Sequence, residues 1–208
     1  MYVHPAFAAP PSQGLDLLKE RSFGLVIAHD GVRPHASHLP LLYKPSREGY
    51  GEVEFHVAKG NVLHKIVGDH PNVLIACQGP DSYLTPDWYA SENQVPTWLY
   101  VTVHVSGTVR VLDPAEALRH VDELSAHFEA KLLPKKPWTS DKMEQKRRDA
   151  MLNAIVVMSM TVETVEPQWR LNQHKGDVDH ASVVDNLRIA GSDAQRQIAD
   201  LMDAARRR

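Results

Sequence analysis

A single cysteine, Cys77, serves all 208 residues, and it sits in the apolar run VLIACQ. One thiol permits no intrachain disulfide and no Cys-rich metal cluster, so a reducing compartment fits. No stretch approaches the roughly 20 apolar residues that a membrane helix needs. The opening MYVHPAFAAPPSQG has neither a basic n-region nor a long apolar h-region. The expectation is a cytoplasmic protein with no membrane association. Positive charge is also in short supply: 23 Lys and Arg face 26 Asp and Glu, a net charge of -3, so any nucleic-acid surface must be local. HExxH, HxH, GxSxG, paired carboxylates and a Cys–His couple are all missing, as are internal repeats and low-complexity tracts. The residues therefore name no catalytic group of their own. The 12 histidines form no ligand spacing: His35 and His38 point to opposite faces of a strand, and His120 with His127 reads as one face of an exposed helix. No metal is expected.

What is present is an ordinary globular composition, 43% hydrophobic and 24% charged, long enough for one sizeable core. Strands come first. SFGLVIA (22–28), HASHLPLLY (35–43), EVEFHVA (52–58), NVLIACQ (72–78), TWLYVTVHV (97–105) and TVRVLD (108–113) are short and rich in β-branched or aromatic residues. HDG, GYG, QGPD and SG punctuate them, a spacing that suggests an antiparallel sheet closed into a barrel. A short helix is expected before them, at 15–20.

Helices follow. Asp113-Pro114-Ala115-Glu116 reads as a helix start with Asp113 as N-cap and Glu116 placed for a capping box, leading a helix to about 132. Ser140 and Asp141 open a second, at 141–153, and IVVMSMTVETVE (155–166) returns as a strand. The tail is helical in two pieces divided at Gly191, with Ser192 and Gln195 as a capping pair. The expected organisation is a barrel domain over 1–178, with 179–208 as a helical extension of it.

Two stretches stand out chemically, both at strand ends, where barrels hold ligands. FHVAKGN (55–61) runs a strand into a cation, a glycine and an amide, a set that suits a phosphate; it is also a common turn composition. QWRLNQHKG (168–176) gathers an indole, two cations, two amides and an imidazole, and puts the question of what it grips.

MYVHPAF, HLPLL (38–42), HVAKGN (56–61), QGPDSYLTPDWY (78–89), VPTWLYVTVHVSG (95–107) and WRLNQ (169–173) together resemble, in that order, the PaiB-type FMN-binding negative transcriptional regulator family. The resemblance implies an α+β fold, mainly β: an FMN-binding split β-barrel with peripheral helices and a helical C-terminal tail. It implies a homodimer with FMN in a groove shared by two copies. Lys59 and the Gly60 and Asn61 amides would then lie near the phosphate, with His38 and Leu39 lining the ring. Trp98 and Trp169 would supply flat walls; the alternative for both is core packing or dimer contact. Arg170 and Gln173 would reach the cofactor across the interface; their alternative is a solvated loop. The chain departs from the family pattern where Lys59 replaces an arginine, Val62 a proline, Leu99 an asparagine and His174 an asparagine.

Two functions follow from that resemblance. One is a transcriptional regulator or flavin-linked sensor, with DNA or a regulatory protein as partner. The other is a small FMN-dependent oxidoreductase acting on a nicotinamide or other small substrate, in which the flavin carries the chemistry. The tail helices look unlike a groove reader, because the second carries Asp193, Asp200 and Asp203 and only Arg196 before Arg206, Arg207 and Arg208. KMEQKRRD (142–149) is the better basic candidate, although a solvated helix face explains it as well.

Overall fold

The computed structural model describes residues 1–206; Arg207 and Arg208, the end of the expected basic terminus, lie outside the described residues. Seven strands form one sheet: β1 (Phe23–His29), β2 (Pro34–Pro40), β3 (Leu42–Lys44), β4 (Glu52–Ala58), β5 (Asn72–Leu84), β6 (Thr97–Val111) and β7 (Ile155–Arg170). Their order is β2-β1-β5-β6-β7-β4-β3. The six α-helices among the described residues are α1 (Pro11–Arg21), α2 (Leu63–Asp69), α3 (Ala117–Glu129), α4 (Gln145–Leu152), α5 (Asp177–Ala190) and α6 (Asp193–Arg206). None is long and apolar enough to cross a membrane.

The sheet is not closed, which corrects the closed-barrel expectation: β2 and β3 are its two ends. The run HASHLPLLY, expected as one strand, is split between them. Pro34 and Pro40 bound β2, and proline cannot donate to a ladder, so β2 suits an edge. Leu41 then leaves β2, its N–H donating to Ser22 O at 2.9 Å.

Chain contacts divide the molecule into two compact units. One comprises Met1–Leu17, Gln78–Val103 and the chain from Glu166 onward; the other comprises Leu18–Cys77 and His104–Val165. In the second unit β4 pairs antiparallel with β7, placing Val53 opposite Met160 and Phe55 opposite Met158, all fully buried. Period-2 alternation turns Glu52, Glu54 and His56 to the other face. There α3 supplies polar partners, and its amphipathic pattern follows from that two-sided demand.

Ser106-Gly107 was expected to break TWLYVTVHV from TVRVLD, yet β6 runs through it as a single strand. Gly107 is needed for closeness and not for a turn: a Cβ there would sit 1.8 Å from Thr161 O. Asp113 caps as expected, accepting from Ala115 N at 2.8 Å, but Glu116 bonds Arg119 instead of closing a capping box. The helix expected at 141–153 begins four residues later, at Gln145, after a short 3-10 turn over Ser140–Lys142. In the first unit Gly191 adopts φ 77° between α5 and α6, and Ser192 and Gln195 exchange backbone-to-side-chain bonds of 3.1 and 3.2 Å, the expected capping pair.

Candidate functional site

The AKGN stretch is a tight turn between β4 and α2 in the second unit. Lys59 N donates to Ala154 O at 2.9 Å and Asn61 N to Ala58 O at 2.8 Å. The Asn61 side chain is used at both ends: its Oδ1 accepts from Leu63 N at 2.9 Å, and its Nδ2 donates to Ser37 Oγ at 2.9 Å. That second bond ties the turn to β2 beside His38, so the structure brings His38, Leu39, Lys59, Gly60 and Asn61 into one neighbourhood. His38 is exposed, its ring stacked 6.2 Å from that of Phe23, and Leu39 is half-buried.

Two features of this turn remain uncommitted. The exposed Lys59 ammonium makes no ion pair among the described residues. Gly60 faces open space, with no atom within 4 Å of where a Cβ would stand. The protein itself does not require glycine there, whereas a close-bound group would. One cation beside an unobstructed backbone fits a phosphate. The Asn61 N–H, expected to help, is instead spent inside the turn.

QWRLNQHKG proves largely internal to the first unit. Trp169, Leu171 and Asn172 are buried, at 6%, 1% and 3% exposure. Asn172 sits at φ 59°, a conformation asparagine tolerates, and donates to Tyr89 Oη at 2.8 Å. The Gln173 amide folds back on its own loop, accepting from Leu171 N and donating to Trp169 O. Arg170 Nη2 donates to Thr97 Oγ1 at 2.8 Å and its guanidinium lies 5.4 Å from the Phe7 ring centre. Lys175 reaches Gln94 Oε1 at 2.6 Å and lies over Tyr89. Trp169 therefore packs as core, with its Nε1 buried and unpartnered. It lines a cavity of about 270 Å³ with Gln173 and several alanines. Trp98 is different: 54% exposed, it meets the exposed Tyr83 edge-on at 6.0 Å.

Sequence reasoning missed a polar chain on the covered face of β4. His120, expected on an exposed helix face, is fully buried. Its Nδ1 lies 3.2 Å from Glu54 Oε2, and its Nε2 lies 2.9 Å from His56 Nδ1. Glu54 also binds Arg119 at 3.1 Å and Lys44 at 2.9 Å. Burial opposes the charge on Glu54, but these cations and His120 together hold its carboxyl below the ordinary range. An ionised Glu54 fixes the tautomers: His120 carries its proton on Nδ1, so its Nε2 must accept from His56 Nδ1, leaving the lone pair of His56 on Nε2. The signal was present in EVEFHVA, whose alternation puts Glu52, Glu54 and His56 on one face. By contrast, the Ser22–His127 pair, 2.7 Å apart, is no nucleophile couple, since Ser22 Oγ donates to Lys19 O. Among the described residues, no group of three or more His, Cys, Asp or Glu is placed to hold a metal ion.

Residues 1–164 match the family model described as "Putative FMN-binding domain". The chain is 28% identical to the protease synthase and sporulation protein PAI 2 of Bacillus subtilis over 204 residues, 98% of this chain and 97% of that one. Among solved structures it resembles the FAD and heme binding protein of Mycobacterium smegmatis, with a TM-score of 0.55 and 14% identity, covering 87% of this chain and 78% of that one. It also resembles the flavocytochrome Anf3 of Azotobacter vinelandii, with a TM-score of 0.54 and 16% identity, covering 79% and 69%. At such identities the likeness is one of fold: the split barrel of flavin-binding proteins.

Proposed function

The chain belongs to the FMN-binding domain family, and on that premise we propose that it holds FMN with the phosphate at the Lys59–Gly60 turn and acts as a flavin-linked regulator or sensor. The observation that carries the phosphate assignment is the pairing of an uncommitted ammonium with a glycine whose Cβ position opens on empty space. Asn61 shapes the turn and holds it against β2, where His38 and Leu39 line the ring. When bound, the flavin supplies one- and two-electron redox chemistry. The protein's part is to bind, orient and shield it.

The working unit is a homodimer. Tyr83 and Trp98, in edge-on contact and exposed at 48% and 54%, present an apolar surface that a second copy would cover, and Trp98 is the ring assigned to the partner's flavin. Arg170, at the end of β7 and braced by Thr97, accompanies it, while Gln173, bonded to Trp169 O and Leu171 N, holds the chain that follows. The regulatory reading draws on the Bacillus relative, whose name links it to sporulation.

The test is a pair of titrations. Lys59→Ala should weaken FMN roughly 10- to 100-fold, the loss of one charge-assisted bond of about 1.5 to 3 kcal/mol, and leave riboflavin, which has no phosphate, nearly unchanged. Equal losses of both ligands would remove Lys59 from the phosphate. Steady oxidation of a reduced nicotinamide by the loaded protein would favour the oxidoreductase over the sensor. A stable monomer in sedimentation equilibrium at micromolar concentration would sink the shared site.

A further inference from the structure

A cavity of about 260 Å³ opens beside the Lys59 turn, within the second unit. Its walls are mostly apolar, including Val111, Leu112, Ala117, Leu152, Ile155 and Val157. Lys59, His64 and Asn153 interrupt that lining. The Lys59 ammonium is unpaired among the described residues, and His64 Nδ1 is buried with no hydrogen-bond partner. Buried polar atoms are normally satisfied, and this unmet one lies just behind the cavity wall, on a residue that lines it.

We infer that this cavity binds a small organic monocarboxylate carried on a compact apolar or aromatic body. A carboxylate would face the Lys59 ammonium and accept from His64 Nδ1–H once the ring turns that atom into the cavity, while the body replaces water against the aliphatic walls. Inorganic phosphate would leave those walls wet, and a neutral hydrocarbon would leave His64 unmatched. At ~30 Å³ per water the volume equals about nine waters, room for one ring and its carboxylate. The inference shares Lys59 with the flavin reading, so the two ligands would draw on the same ammonium.

Benzoate is the probe, titrated calorimetrically into the full chain, with and without FMN. The expected result is one benzoate per chain with Kd below about 1 mM. Benzyl alcohol, of similar shape but uncharged, should bind at least about tenfold more weakly. His64→Phe fills the space and removes the donor. Val111→Phe narrows the mouth from a half-exposed position that tolerates bulk. Each should cost benzoate at least about tenfold, with thermal midpoints showing that both variants fold. No benzoate binding, equal binding of benzyl alcohol, or unchanged affinity in both variants would overturn the proposal. So would benzoate that saturating FMN expels while Val111→Phe leaves it untouched, because the anion would then be occupying the flavin phosphate position. The flavin reading fails by a different result, unchanged FMN affinity in Lys59→Ala, which no benzoate titration can produce.

Discussion

His120 makes the protein acid-sensitive by a calculable amount. Burial, opposed by the Glu54 bond and reinforced by His56, brings its pKa from 6.5 down to about 4. The fold therefore prefers the neutral ring. Above pH 6.5 neither folded nor unfolded chain binds the proton, and the stability is fully present. As pH falls below 6.5 the unfolded chain takes up a proton that the fold refuses, and the loss continues down to about pH 4. At pH 5 the deficit is about 2 kcal/mol, a sizeable share of a typical 5–15 kcal/mol. With a urea slope near 2 kcal/mol/M, the unfolding midpoint should drop by about 1 M between pH 7 and pH 5. Burial pushes the His56 ring the same way, so the wild-type slope alone does not isolate His120. His120→Gln does, since its amide can donate to Glu54 and accept from His56 without titrating. Its stability loss between pH 7 and pH 5 should be smaller by about 2 kcal/mol. Urea melts of both proteins at both pH values, in matched flavin, provide the measurement. Slopes agreeing to within about 0.5 kcal/mol would refute the reasoning.

Gly107→Ala should cost about 3 kcal/mol, because its Cβ would stand 1.8 Å from Thr161 O and the strands must part; calorimetry should show a midpoint lower by about 6 to 12 °C. At Asn172, exchange for alanine removes the Tyr89 bond and strains φ 59°, costing about 2 to 3 kcal/mol, whereas glycine loses only the bond and should cost about 1 kcal/mol; equal losses would show that the backbone conformation carries no strain. Binding to random DNA should be weak, and replacing the exposed Lys146 and Arg147 together should reduce its salt slope by about two; one promoter bound about a thousandfold more tightly than random sequence would show that α4 reads DNA specifically.

Local chemistry was legible where it decided the outcome alone. Asp113, Gly191 and the Ser192–Gln195 pair end or begin helices through bonds to residues at most four away. β4 spans the 52–58 that alternation indicates and β1 lies one residue beyond its expected 22–28; alternation needs no partner to be seen. Ser106-Gly107 could not be read the same way. The pair has the composition of a turn, and only the carbonyl of Thr161, far along the chain, makes the glycine a place of close approach. His120 failed for the same reason: its partners Glu54 and His56 lie 66 and 64 residues away.

The two candidate stretches show why composition misjudged which of them is available. QWRLNQHKG looks like a ligand grip because it concentrates polar groups, yet Tyr89, Thr97 and Gln94 of the same unit consume the polar ends of Asn172, Arg170 and Lys175. AKGN looks like an ordinary turn, and its turn bonds are indeed ordinary. Because Ala154, Ala58 and Leu63 satisfy its backbone and its asparagine, however, the Lys59 charge and the Gly60 face are left over. A ligand can use only what the fold has not already used. The better binding candidate is therefore the turn whose internal bonds close without its cation, and not the stretch with the greater number of polar groups.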